Sequence, residues 1–340
     1  LLGYQFFKYW WQRFHRSIHQ YRAFVVIAFI ANSLVLISCV PQINAPLLRV
    51  GIPKWIGFTP FQLAEELQYY QDTSIRLLEY PSGPDLIQAF RNGEVEVMGT
   101  TMGTSMLLSE ADPTLKVILV TDSSHGADVI LSKPSIASLK DLAGQRIGLE
   151  ASEVAAFMLN RALEQVGLSV NDVQLVLLSL SEQETAFEQG KVDALVTYDP
   201  TRSHLLALGA KQLFDSSQIP GEIVDVIIAR DTVLSRQQRS VQSLVNGWFK
   251  AHRYFQQRPK AAASRIAPLQ NLSSEEYLNS LKGLEFPNLA KNQQLLGNPN
   301  STLIKGAKQL SEIMQRQNLL KTSVDPASLI DDRFVKNLKL

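Results

Sequence analysis

From residue 48 onward the chain alternates short apolar runs with amphipathic stretches. Leu48–Pro53 (LRVGIP), Ile75–Glu79, Val95–Met98 and Lys116–Thr121 (KVILVT) are apolar runs of strand length. Between them, Phe61–Tyr70 carries apolar residues at helical spacing, with Thr59 as the expected N-cap and Pro60 at N1. Asp85–Asn92 reads as a helix capped by Asp85 and stopped by Gly93, and Thr104–Ser109 as a shorter one. Strands and helices in this alternation imply a mainly parallel sheet covered by helices on both faces.

The pattern then restarts. After a strand at Asp128–Leu131, further strands are expected at Arg146–Leu149, Val173–Leu178, Asp193–Thr197, Gln212–Phe214 and Ile223–Ala229. Helices are expected at Ser152–Val166, ended by Gly167, at Ser181–Gln189, ended by Gly190, and at Arg202–Leu208. Beyond Ala229 only helical spacing remains, at Val241–Gln257, Pro259–Ala267, Ser274–Leu281 and Thr302–Gln317. Two α/β units followed by a helical C-terminal region are the expected organisation.

The N-terminal stretch stands apart. Residues 23–38 (AFVVIAFIANSLVLIS) form one apolar run behind Lys8, Arg13, Arg16 and Arg22. The run is shorter than the ~20 residues of a spanning helix, and its charged flank suits a secretory signal. It ends Leu36-Ile37-Ser38-Cys39, which resembles the lipobox of bacterial lipoproteins: an aliphatic residue, a small residue, then a cysteine to be acylated. Residues 1–38 are therefore expected to be a signal peptide, and Cys39 a lipidation site holding the protein at the extracytoplasmic (periplasmic) face of a cell membrane.

Composition narrows the chemistry. The 340 residues carry 33 basic and 32 acidic side chains, so there is no basic footprint for nucleic acid. The single cysteine excludes a disulfide framework and a multi-cysteine metal site, and the body histidines His204 and His252 have no metal-ligand spacing. Neither a Walker A nor a dinucleotide glycine motif follows the first strand. No cofactor and no bound metal are expected, and any ATP hydrolysis belongs to a partner.

Two phrases match between the α/β units. Ala89–Glu96 reads A-x-x-x-G-x-V-(D/E), and Ala186–Asp193 repeats it. Together with Leu139–Ile147 (LKDLAGQRI), Trp55-Ile-Gly57 before Thr59-Pro60, Tyr198-Asp199-Pro200, and Ser216–Asp225, these resemble the substrate-binding proteins of ABC transporters. The nearest group is the nitrate/sulfonate/taurine and thiamine-precursor type. The resemblance implies an α/β, two-lobe periplasmic binding protein fold (type II) with an interlobe ligand cleft and a helical C-terminal region. Lobe one would comprise 47–128 and 225–340, lobe two 132–221, with crossings near Asp128–Leu131 and Ile223–Val226.

In such an architecture strand ends and helix N-termini line the cleft. Thr100, Thr101 and Ser152 are candidates to hold an anionic group, or plain N-caps. Trp55 offers an apolar wall, or a lid on the core. Ser82 and Gly83 could present backbone N–H groups, or form a simple turn. Asp199, aimed by Pro200, suits a ligand donor or caps the helix after it; Asp225 suits a donor or a hinge. Ser124 lies at the first crossing beside His125, whose expected role is a polar hinge or cleft contact and not a catalytic triad.

The resemblance implies a solute-binding protein and not an enzyme. It would capture a small polar organic solute (sulfonate- or taurine-like, nitrate-like, or a pyrimidine precursor) by lobe closure. Its partners would be an ABC permease and that permease's ATPase subunit. The rival readings are an enzyme on the same two-lobe scaffold, as in some menaquinone-pathway enzymes, and a sensor that presents ligand to a receptor.

Overall fold

This computed structural model describes residues 46–339 apart from residue 72. Cys39 and the apolar run before it lie outside the described residues. The first segment runs β1 (Leu48–Pro53), α1 (Thr59–Glu66), β2 (Ile75–Tyr80), α2 (Gly83–Arg91), β3 (Val97–Thr101), α3 (Met102–Ser109) and β4 (Leu115–Ser124). The second runs β5 (Val129–Ser132), β6 (Arg146–Leu149), α4 (Glu153–Glu164), β7 (Gln174–Leu177), α5 (Leu180–Glu188), β8 (Ala194–Thr197), α6 (Thr201–Ala207) and β9 (Lys211–Asp215). Then come β10 (Val224–Arg230), α7 (Asp231–Arg236), α8 (Gln238–Gln257), α9 (Pro259–Ile266), α10 (Ser274–Ser280) and β11 (Leu284–Glu285). Helices α11 (Leu289–Gly297), α12 (Thr302–Arg316) and α13 (Arg333–Lys336) close the chain.

The strands form two sheets. The six-stranded sheet has the order β11-β4-β10-β3-β1-β2, the five-stranded one β7-β6-β8-β5-β9. Pairs β1–β2, β1–β3, β6–β7 and β6–β8 are parallel, as the strand–helix alternation predicts. Apart from the short β11–β4 pair, the antiparallel pairs sit around the two strands that follow a crossing. β10 runs antiparallel to β3 and β4, and β5 antiparallel to β8 and β9. Each enters its sheet from the opposite lobe, which reverses its direction. β5, β8 and all of β10 but its ends are buried, as continuous apolar runs covered on both faces should be.

The matched phrases fold alike, one in each sheet. Gly93 (φ 73°) and Gly190 (φ 70°) both take the left-handed conformation that ends a helix. The next N–H returns to the helix in both: Glu94 donates to the Ala89 carbonyl and Lys191 to the Ala186 carbonyl, each at 2.9 Å. The acid that closes each phrase then clamps the lobe's opening parallel strand. Glu96 accepts from the Arg49 N–H and guanidinium on β1. Asp193 accepts from the Arg146 N–H and guanidinium on β6, and from Lys133.

Helix α8 anchors the C-terminal region. Val241, Leu244, Val245, Trp248 and Phe249 lie on one buried face, and Trp248 packs on Phe61 of α1.

Several local expectations need correcting. Asp85 does not cap α2; Ser82 does, accepting from the Asp85 N–H at 3.2 Å. Thr59 is the first residue of α1 and not its cap, and its hydroxyl donates to the Ile56 carbonyl. Thr100 lies within β3 and caps nothing, whereas Thr101, the last residue of β3, is the N-cap of α3 as expected, accepting from the Thr104 N–H at 3.0 Å. The region after Ala229 is not purely helical: β11 pairs with β4 through Leu284–Ser124 and Glu285–Ser123. A strand of two residues is too short to carry an alternating pattern, so its sequence was silent.

Candidate ligand-binding site

A cavity of about 100 Å³ lies where the two sheets face each other. Its lower wall is built by the first lobe. Trp55 follows β1, Gly83 opens α2, Thr100 and Thr101 end β3, and Asp225 sits on β10. The second lobe supplies Glu150 after β6, Ser152 and Glu153 at the start of α4, and Tyr198 after β8. Apart from Asp225, near the start of antiparallel β10, these groups lie at strand C-terminal ends and the helix starts after them, where parallel sheets place them.

Trp55, Gly83, Thr100, Thr101, Ser152 and Asp225, all singled out from sequence, line this cavity. Ser82, Ser124 and Asp199 are not among its lining residues. Ser82 is spent on the α2 cap. Ser124 is buried in the crossing, where its hydroxyl meets that of Ser216 at 2.7 Å and accepts from the Asp128 N–H. Gly126 N–H also donates to the Ser216 hydroxyl, so the pair ties the two crossing segments together. Asp199 turns toward its own helix, accepting from the Ser203 N–H at 3.0 Å and hydroxyl at 2.6 Å. It borders a separate groove with Glu184, His204 and Glu276.

The residues missed from sequence are mostly acidic. Asp128, Glu150 and Glu153 line the cavity. Asp122 lies behind Asp225, one strand away in register, with Trp55 Nε1 3.5 Å from its Oδ1. The rule that favours strand ends points to Glu150 and Tyr198 directly. Asp122, by contrast, meets Asp225 only through pairing of strands 103 positions apart in the numbering, 225 − 122.

Burial raises the pKa of every one of these carboxyls. Asp128 is pushed up to about 6, with the Ser124 hydrogen bond pulling the other way and Asp122 adding to the rise. Asp122 and Asp225 are both raised, first by burial; at Asp225 the neighbouring Asp122 charge adds to the rise, so the pair favours sharing a proton. Glu150 is raised by burial and by Asp85, against a hydrogen bond from the Gly83 N–H. Glu153 is raised by burial although the Thr101 and Thr104 hydroxyls donate to it at 2.9 and 3.1 Å.

Those threonine contacts bridge the lobes. Glu153 of α4 rests on the N-terminus of α3, so close that a Cβ at Gly103 would collide with its carboxylate. Above it, Trp55 and Tyr198 meet edge to face at 5.0 Å. Among the described residues that line the cavity there is no lysine, arginine, histidine or cysteine. Nor do the described residues contain a group of His, Cys, Asp and Glu placed to hold a metal ion.

Comparison with known proteins gives a consistent picture. Residues 55–262 match the family model described as NMT1/THI5 like. A protein of Escherichia coli K12 assigned as binding aliphatic sulfonates is 30% identical over 179 residues, 51% of this chain and 56% of that relative's length. The taurine-binding periplasmic protein of the same organism is 21% identical over 76% of this chain and 82% of its own. Among solved structures, the alkanesulfonate-binding protein SsuA from Xanthomonas axonopodis pv. citri, bound to MOPS, superposes with a TM-score of 0.71. It is 22% identical and covers 84% of this chain and 98% of its own. The desulfurization enzyme DSZB shares the fold at a TM-score of 0.60 and 18% identity, over 85% of this chain and 98% of its own. With its two sheets, its cleft at the strand ends and a family match spanning more than half its length, the chain belongs to the NMT1/THI5-like family and has the periplasmic binding protein fold.

Proposed function

We propose that this chain is the extracytoplasmic solute receptor of an ABC importer. It captures a small polar organic solute in the interlobe cleft and delivers it to a permease, whose ATPase subunit supplies the energy. The observation that carries this reading is the half-open cavity where the two sheets face each other, lined from both. Lobe one comprises 47–128 and 225–340 and lobe two 132–221, with the Ser124–Ser216 pair at the hinge between them. A solute that touches both walls favours the closed arrangement over the open one and shifts the population toward it. No bond is broken.

The relatives that bind sulfonates or taurine support a ligand of this size. The enzyme reading draws only on the shared DSZB fold, and a fold does not fix function. With no cysteine or histidine among the described cavity residues, the hydroxyls there have no imidazole base to activate them. Lipid anchoring through Cys39 rests on the Leu36–Cys39 pattern. Cys39→Ser is expected to release the protein from membranes and abolish fatty-acid labelling, and unchanged retention would remove the anchor.

The function itself is tested by calorimetry of the purified chain with ethanesulfonate, taurine, nitrate and aminopyrimidines, followed by mass analysis of the recovered solute. One-to-one binding of an unchanged solute is expected. A recovered product of altered mass would replace transport with catalysis.

A further inference from the structure

The cleft is furnished for the opposite charge from the one its helix N-termini would suggest. A helix N-terminus attracts an anion, but the two that the first lobe presents here, those of α2 and α3, already carry carboxylates of the second lobe. Glu153 sits over α3, taking the Thr101 and Thr104 hydroxyls. Glu150 faces the start of α2, close to the Gly83 N–H. An incoming sulfonate or nitrate would have to displace these groups and settle beside Asp128 and Asp225.

Two carboxylate oxygens in the cavity have no partner. Asp128 Oδ2 and Glu150 Oε1 are buried and accept no hydrogen bond, on residues only 7% and 9% exposed. A buried carboxylate oxygen without a donor is costly, and no group of the described chain donates to either of these two atoms. A ligand with N–H donors would. The cavity also has an aromatic wall of Trp55, Tyr198 and Phe58. A positive nitrogen beside these rings gains a cation–π contribution as well.

We infer that the solute is a small organic cation, an ammonium or amidinium-like nitrogen on an apolar or planar body, whose N–H groups donate to Asp128 and Glu150 while its body lies against the touching pair Trp55 and Tyr198. This rests on the cleft being the solute site proposed above, and sharpens it to one ligand class. The carboxylates do not converge into a metal-holding group among the described residues, which points to an organic cation and not a metal ion. Asp225 lines the cavity with Asp122 behind it, and Glu153 stays engaged with its threonines.

The test uses the whole chain in two ways. The protein as purified is examined by native mass spectrometry and then unfolded to release and identify any retained solute. In parallel, protein stripped by unfolding and refolding is titrated with benzamidine, 4-aminopyrimidine and ethylamine, against ethanesulfonate and nitrate. A cationic nitrogen in the released solute, or stabilisation by the nitrogen bases and not by the anions, is the expected result. Asp128→Asn and Glu150→Gln should each weaken that binding about ten- to a hundredfold, the value of a charge-assisted hydrogen bond. Their melting temperatures without ligand should stay level or rise, since each removes an unpaired buried charge; a purely structural role would lower them. Retention of an anion lacking such a nitrogen, or stabilisation by ethanesulfonate or nitrate alone, overturns the cation while leaving the solute receptor standing. No retained solute and no stabilisation by either set overturns both.

Discussion

Trp55 and Tyr198 meet edge to face across the cleft, ring centroids 5.0 Å apart and planes at 85°. One follows β1 of the first sheet and the other β8 of the second, so the contact exists only when the lobes are together. Such a pair is worth roughly 0.5–1.5 kcal/mol beyond its buried area. Trp55→Ala and Tyr198→Ala should each weaken solute binding about tenfold or more, and leave the unfolding curve of the free protein nearly unchanged. Tyr198→Phe, which keeps the ring, should bind normally. Calorimetry beside denaturant unfolding checks this; a large loss of stability in either alanine variant would make the rings core residues.

Gly103 gives a cleaner way to hold the lobes apart. It lies in α3, and a Cβ there would run into the Glu153 carboxylate of the facing lobe. Within the helix alone, alanine is favoured over glycine by about 1 kcal/mol. Gly103→Ala is therefore expected to keep or raise the melting temperature while weakening solute binding and enlarging the radius of gyration in small-angle scattering. Unchanged compactness and affinity would mean that Glu153 swings away at no cost.

Acid should stabilise the free protein through the cleft. Asp128 holds its proton up to about 6 when folded, against ~3.9 unfolded. Between these values the folded state binds more protons, so stability falls as the pH rises through the window and the penalty is complete above it. The difference corresponds to about 3 kcal/mol for this group. Asp122, Asp225, Glu150 and Glu153 are shifted in the same direction. Asp193, held well below the usual range by Arg146, acts in the opposite sense and only in stronger acid. Melting temperatures from pH 4 to 8 should show Asp128→Asn flattening the wild-type slope; an unaltered slope would contradict the raised pKa.

Asp199 is expected to matter for stability and not for ligand. Its carboxylate is taken by Ser203 at the start of α6 and stands 4.0 Å from Arg202. Asp199→Ala should cost about 1 kcal/mol, as loss of a cap does, with affinity intact. Weakened binding with unchanged stability would return Asp199 to the cleft.

Much of the fold was legible along the chain because it rests on local physics. Strand and helix periods are written in consecutive residues, and Gly93 and Gly190 mark their helix stops at the only residue type that takes the left-handed turn without strain. The paired phrases also announced that the fold is built twice, since Glu96 and Asp193 make the same clamp on Arg49 and Arg146. Trp55, Thr101 and Ser152 could be placed near the cleft because strand ends and helix starts are local features too.

The charge of the cleft was decided only by tertiary structure. Reading along the chain, Thr101 suggested an anion site, and nothing in its neighbourhood said that Glu153 would come from the other lobe to fill it. Asp122 and Asp225 become one proton-sharing pair because β4 and β10 lie side by side, and Asp128 and Glu150 lose their water because two lobes close over them. Electrostatic energy depends on separation and burial, and both are set by contacts between segments far apart in sequence. Asp199 shows the converse: the residue before proline at a strand end looked aimed at the cleft, and a hydrogen bond to Ser203, four residues on, turned it away. Sequence alone determined where the cleft would lie; the packing of the lobes determined what it can hold.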